Sequence, residues 1–196
     1  MDRTSLPLLS RVGVVLALVG TTACGAEPTP PPSIPTDAVT ALDAAPTRTL
    51  TVEEVADDAL DPSDLAEILS DAGYRSGAER AFTGRLDVRS VTVRVLAFGS
   101  PSGVETYLGW LRDHMRDVIG PIDVSTTITV QGSEVPVYGH LPGGCCPKDA
   151  PVYLTGWSAG SNAITVLAIG PGVDEGTVAD VVAGVDRRIG GNDSDA

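Results

Sequence analysis

The sequence predicts an α+β domain over residues 50–190: a mainly antiparallel β-sheet with two to three helices packed on one face. Three observations predict it. Segments alternating apolar with polar residues follow one another through short turns, as in hairpin-connected sheets. Two longer stretches carry apolar residues at helical spacing, each with a charged opposite face. The span of about 140 residues has the usual size of one domain with one core, and it contains no internal repeat.

In chain order, "TVEEVADDAL" reads as a short helix capped by Thr51 and Glu54. "DPSDLAEILSDAG" is a second helix with Leu65, Ile68, Leu69 and Ala72 on one stripe, an N-cap at Asp61 or Ser63, and a stop at Gly73. "ERAFTG" fits a strand, as does "DVRSVTVRVLAF", where Val91, Val93, Val95 and Ala97 alternate with Thr92, Arg94 and Leu96. The best-marked helix is "SPSGVETYLGWLRDHMRDVIGP". Ser102 and Glu105 suit a capping box, and Val104, Tyr107, Leu108, Leu111, Met115 and Val118 form its apolar face. Gly120-Pro121 stops it. "DVSTTITV", "VPVYGH", "PVYLTGW" and "NAITVLAIG" are strands joined by turns such as "QGSE" and "SAGS". The last helix, "DEGTVADVVAGVDRRIG", aligns Val178, Val181, Val182, Val185 and Ile189, with Arg187 and Arg188 where cations suit the helix dipole. Residues 191–196 are polar and acidic and are expected to be a disordered tail.

The first fifty residues are of another kind. Arg3 and Arg11 precede an uncharged apolar run, Val12 to Gly20, too short to span a bilayer but of the length of a signal-peptide core. "TTAC", with Gly25 after it, resembles the lipobox of bacterial prolipoproteins, with Thr21 where Leu is commonest. That resemblance implies a signal peptide over 1–23, cleavage before Cys24, and a diacylglyceryl anchor with further acylation on Cys24. Two or more chains anchor stably where one does not. The alternative is a secreted protein in which Cys24 is incidental. Residues 24–49 hold five prolines between Pro28 and Pro35 and read as a flexible, Pro-rich tether, with an arm wrapped on the domain as the other reading.

Without Asp2, Arg3 and Arg11 the chain keeps 11 basic and 25 acidic residues, a net charge of −14. That sign argues against a nucleic-acid partner and against electrostatic adhesion to anionic lipid. Twelve Arg against one Lys, with abundant Ala, Gly, Val, Asp and Pro, point to a GC-rich, actinobacterial source. "DPSDLAEILSDAGY", "FGSPSGVETYLGWLRDHMRDVIG" and "GGCCPKDAPVYLTGW" resemble small actinobacterial envelope lipoproteins, some with Mog1/PsbP-like α+β domains. The resemblance implies a sheet backed by helices and no particular active site.

Candidate chemistry is sparse. "GWSAG" satisfies the nucleophile-elbow pattern with Ser158, but a strand-like run follows where that motif needs a helix. His114 and His140, the only histidines, both precede Ser158, so the order required downstream of the serine is missing; "SAGS" reads as a hairpin turn. The acidic run from Glu53 to Glu67 lacks calcium-loop spacing and reads as helix caps and a solvated face. Export puts Cys145 and Cys146 where disulfides form, and with Cys24 acylated they have only each other within the chain. Adjacent Cα atoms lie about 3.8 Å apart, closer than disulfides normally accept, so a vicinal disulfide there is strained. The pair can otherwise remain reduced, bridge to another chain, or join His140 as metal ligands, although zinc-type spacing is absent.

The expectation is a monomeric, lipid-anchored lipoprotein on the extracytoplasmic face of the cell membrane. Its domain is expected to bind a small molecule or another envelope component, without cofactor, metal or catalysis. The alternatives are an envelope enzyme, either a hydrolase through Ser158 or a thiol-redox protein through Cys145 and Cys146, and a structural protein-interaction module.

Overall fold

The computed structural model describes residues 30–85, 87–142 and 150–189. The proposed signal peptide, Cys24, the Cys145–Cys146 pair and the C-terminal tail lie outside the described residues.

The elements are β1 (Asp43–Ala44), β2 (Arg48–Leu50), α1 (Val52–Ala56), α2 (Pro62–Asp71), β3 (Tyr74–Thr83), β4 (Ser90–Phe98), α3 (Pro101–Asp113), α4 (Met115–Ile119), β5 (Val124–Val130), β6 (Ser133–His140), β7 (Val152–Ala159), β8 (Asn162–Ile169) and α5 (Glu175–Ile189). The strands form one open antiparallel sheet in the order β1-β3-β4-β8-β7-β6-β5, with β2 also pairing β3. The expected α+β class holds.

The helices are more numerous than expected and cover both faces rather than one. Val91, Val93 and Val95 of β4, with Ile164, Val166 and Ala168 of β8, meet Val178, Val182 and Val185 of α5. On the opposite face Leu96, Phe98 and Ala163 meet α1, α2 and α3. Leu154 of β7 meets Leu111, Met115 and Ile119 on that same side. The central strand β8 reads "NAITVLAI", a nearly continuous apolar run, because a strand covered on both faces has no solvent side to mark with polar residues.

The helix expected over 102–119 is two helices. His114 (φ −104°, ψ 15°) leaves helical geometry, with its backbone N–H and its ring Nδ1 both at the Trp110 carbonyl. The reset turns Ile119 inward and leaves Val118, an expected core residue, exposed. The N-cap is Ser100, whose Oγ accepts from the Gly103 amide, rather than Ser102. The capping box at Thr51 and Glu54 is present, and Asp61 caps α2.

The tether expected over 24–49 differs from what the described part of it does. Ile34, Ala38 and Val39 are buried in the α5-side core, Asp37 pairs with Arg188, and β1 and β2 both join β3. An apolar residue every few positions lets even a proline-rich segment gain enough burial to be held.

Candidate functional site

Among the described residues, Ser158 and His140 are not brought together. Ser158 is exposed on β7, two residues before Gly160 of the Gly160-Ser161 loop that leads into β8. Gly160 has φ +57°, and it alone of the two loop residues is positive, the pattern of a II′ hairpin. His140 sits on β6 opposite Val152, six residues along β7 from Ser158, or roughly 20 Å at strand rise. Its Nδ1 donates to Asp123 at 2.9 Å, and Asp123 also accepts from the Leu141 amide at 2.8 Å. Those two donors, the amide first, hold the Asp123 carboxyl below its ordinary range. His114 is half-buried at the α3–α4 break, its ring stacked on Trp110 with centroids 4.5 Å apart. Among the described residues no group of three metal-ligating side chains occurs.

A different set of residues converges. In-register pairing lays one row across the sheet: Arg48 of β2 opposite Glu79 of β3, Glu79 opposite Arg94 of β4, Arg94 opposite Thr165 of β8, and Thr165 opposite Gly156 of β7. Period-2 alternation turns Thr92, Arg94 and Leu96 toward α1–α3 while the valines between them face α5. A charged residue thereby enters the middle of a central strand, beneath helices.

Arg94 donates from Nε (3.0 Å) and from one terminal nitrogen (2.5 Å) to Glu79, and the same nitrogen contacts Asp58 in the α1–α2 turn. Arg48 reaches Glu79 from the other side at 3.0 Å and lies 3.6 Å from Glu54. Burial pushes the Glu79 carboxyl up, but Arg94 and then Arg48 outweigh it, and the net shift is downward. For Arg94 burial opposes the charge; the carboxylates of Asp58 and Glu79 overcome it and hold the guanidinium firmly protonated. Tyr107, buried beside Arg94, has its hydroxyl pushed up, chiefly by burial. Tyr74, whose hydroxyl donates to the Leu50 carbonyl at 2.6 Å, is pushed up to about 12, again chiefly by burial.

This row floors a cleft of about 370 Å³ between α1–α3 and the sheet. Leu65, Trp110, Leu111, Leu154 and Leu167 give it apolar walls, and Thr92 and Thr165 add hydroxyls near Arg94. Trp110 is oriented by an Nε1 bond to Asp64 at 2.7 Å. A concave, mostly apolar lining with a few convergent polar groups is the usual make-up of a small-molecule site. The arrangement can bind and orient; among the described residues it sets no nucleophile beside a base.

Sequence reasoning read Arg94 only as part of a polar face, and Asp58 and Asp64 as solvated carboxylates. The available signal was an arginine set between valines in "SVTVRVLAF", a strand too apolar on both faces to have a solvent side. Its partners could not be found that way, because register pairs residues far apart in sequence.

No protein-family model matches the chain, and no curated protein matches it in sequence. Among solved structures, the extracellular domain of PknH from Mycobacterium tuberculosis is similar at a TM-score of 0.46 and 13% identity, over 74% of this chain and 84% of that one.

Proposed function

We propose that the chain is a lipid-anchored lipoprotein of the bacterial cell envelope, and that its domain binds a small molecule in the Arg94 cleft without catalysing its conversion. The anchoring part rests on the apolar run ending in "TTAC", with acyl chains on Cys24 supplying the membrane affinity. No helix among the described residues is long and apolar enough to cross a membrane. The binding part rests on one observation: a buried, firmly charged arginine, with Glu79 and Asp58 on it, at the floor of a cleft whose walls are apolar. Burying such a group is expensive unless it is paired, and here it is placed where a ligand can reach it.

Native mass spectrometry of the protein taken from the envelope tests the binding reading. A co-purifying mass is expected on the wild type and not on Leu167→Trp, whose indole fills the cleft. The same mass on both proteins sinks the assignment of the cleft. For the anchor, Cys24→Ala is expected to leave the membrane fraction and to lose incorporation of labelled palmitate; retention of both sinks it.

A further inference from the structure

We propose that the cleft takes a small carboxylate with an apolar body, and that the ligand's carboxylate replaces Asp58 on Arg94. This rests on the reading of the cleft as the binding site and names what it would bind.

The two carboxylates on Arg94 are held very differently. Glu79 is 17% exposed, sits in register on the neighbouring strand, and is gripped by Arg48 as well. Asp58 is 56% exposed, comes from the turn after the five-residue helix α1, and reaches Arg94 through one nitrogen. An exposed pair of this kind contributes little net stability, so Asp58 is the replaceable partner and Glu79 the fixed one. Because the replaceable partner is an anion, the group that takes its place is an anion too. A cationic ligand would have to displace Arg94 itself, which is fixed on a central strand beneath the helices. The place on Arg94 is a single oxygen's worth of contact, which suits a carboxylate, and Thr92 and Thr165 lie beside it to donate to a second oxygen.

The rest of the ligand is set by the walls, which are leucines and Trp110. A volume of about 370 Å³ corresponds to about a dozen waters at ~30 Å³ each, and so to a body of roughly that many non-hydrogen atoms. The exposed rim combines the charged Arg48 and Asp58 with apolar Val118. Val118 lines the cleft yet is exposed, and Leu60, 77% exposed, stands in the same turn as Asp58.

Titration calorimetry on the full chain carrying Cys24→Ala, so that no attached acyl chain competes, tests this with decanoate, decanol and decyltrimethylammonium. Decanoate is expected to bind at least tenfold more tightly than either of the others. Asp58→Ala is expected to tighten decanoate about fivefold, the limit for an exposed pair, and to leave decanol unchanged. Equal affinities for the three amphiphiles, no binding of decanoate, or weaker decanoate binding by Asp58→Ala each overturn the carboxylate assignment. Leu167→Trp separates that failure from failure of the cleft: equal affinities all abolished by the indole keep the cleft and reject the carboxylate. Decanoate binding that survives both Leu167→Trp and Val118→Trp, the second placed at the exposed rim, rejects both readings.

Discussion

Arg94 and Glu79 face each other in register across β4 and β3, Nε to Oε2 at 3.0 Å, with side chains only 16% and 17% exposed. Removing one member of such a pair strands the other charge in a poorly solvated place. Glu79→Ala is accordingly expected to lower unfolding stability by about 3 kcal/mol, near the lower end for broken buried pairs. Arg94→Met/Glu79→Leu is expected to recover most of that loss, since an apolar pair of similar volume leaves no buried charge, and the partners left behind, Asp58 and Arg48, are solvent-exposed. Urea unfolding of both variants measures the difference. Asp58→Ala, which removes an exposed partner of the same arginine, is expected to change stability by less than about 1 kcal/mol.

The same pair makes stability depend on pH in a definite direction. The Glu79 carboxyl is held below its ordinary value in the folded protein, so the folded state binds that proton less readily than the unfolded chain. Its contribution is complete above the unfolded-state value, about 4.3, and is lost as pH falls through the lower folded value. The stability gap between wild type and Glu79→Gln is therefore expected to be constant from neutral pH to about 5 and to shrink below it. A gap that grows on acidification contradicts this.

Gly103 marks the closest approach of α3 to α2. A Cβ there would sit 2.0 Å from the Ala72 carbonyl oxygen, a backbone atom that cannot rotate aside. Gly103→Ala is expected to cost about 3 kcal/mol through forced separation of the two helices. Gly109, on the same helix with nothing within 4 Å of a Cβ, is the internal control. Gly109→Ala is expected to raise stability by up to about 1 kcal/mol, since alanine is the better helix former. Thermal melts of the two variants should move in opposite directions.

Ile34 lies in the proline-rich segment but packs with Ala38 and Val39 on the α5 side of the core. Ile34→Ala is expected to cost about 2 to 4 kcal/mol, as core truncations do. Were the segment a free tether, the melting temperature would not change.

Ser158 sits on a strand at the mouth of a hairpin, with His140 roughly 20 Å away along that strand. A fluorophosphonate probe is expected to label wild type and Ser158→Ala equally weakly. Labelling that depends on Ser158 would require a base that this geometry does not supply.

Most of the element types were legible in the residues, because each rests on local physics. Alternation along "SVTVRVLAF", the heptad-like stripe of α5, and the Thr51–Glu54 capping box are read within a few positions of chain. The misreadings also have local causes. Val118 keeps perfect spacing with Met115 and Leu111, yet the backbone leaves helical geometry at His114 and the helix restarts at Met115 with a new face. Ile34 was hidden among prolines, since one buried side chain does not show in a segment's composition.

The sequence by itself determined the class of the fold, the type of most elements from residue 51 onward and the acidic charge of the chain. It also carries the "TTAC" stretch on which the proposed lipid anchor rests. Only the tertiary structure decided that helices cover both faces of the sheet and that the arm from Ile34 to Leu50 belongs to the domain. It also decided that Arg48, Glu79, Arg94 and Thr165 form one row under α1–α3. The reason is the range of the interactions. Helical and strand periods are set by neighbours in the chain, whereas that row is set by strand register between segments tens of residues apart. A one-residue slip of β4 would turn Arg94 to the α5 face and leave no cleft floor.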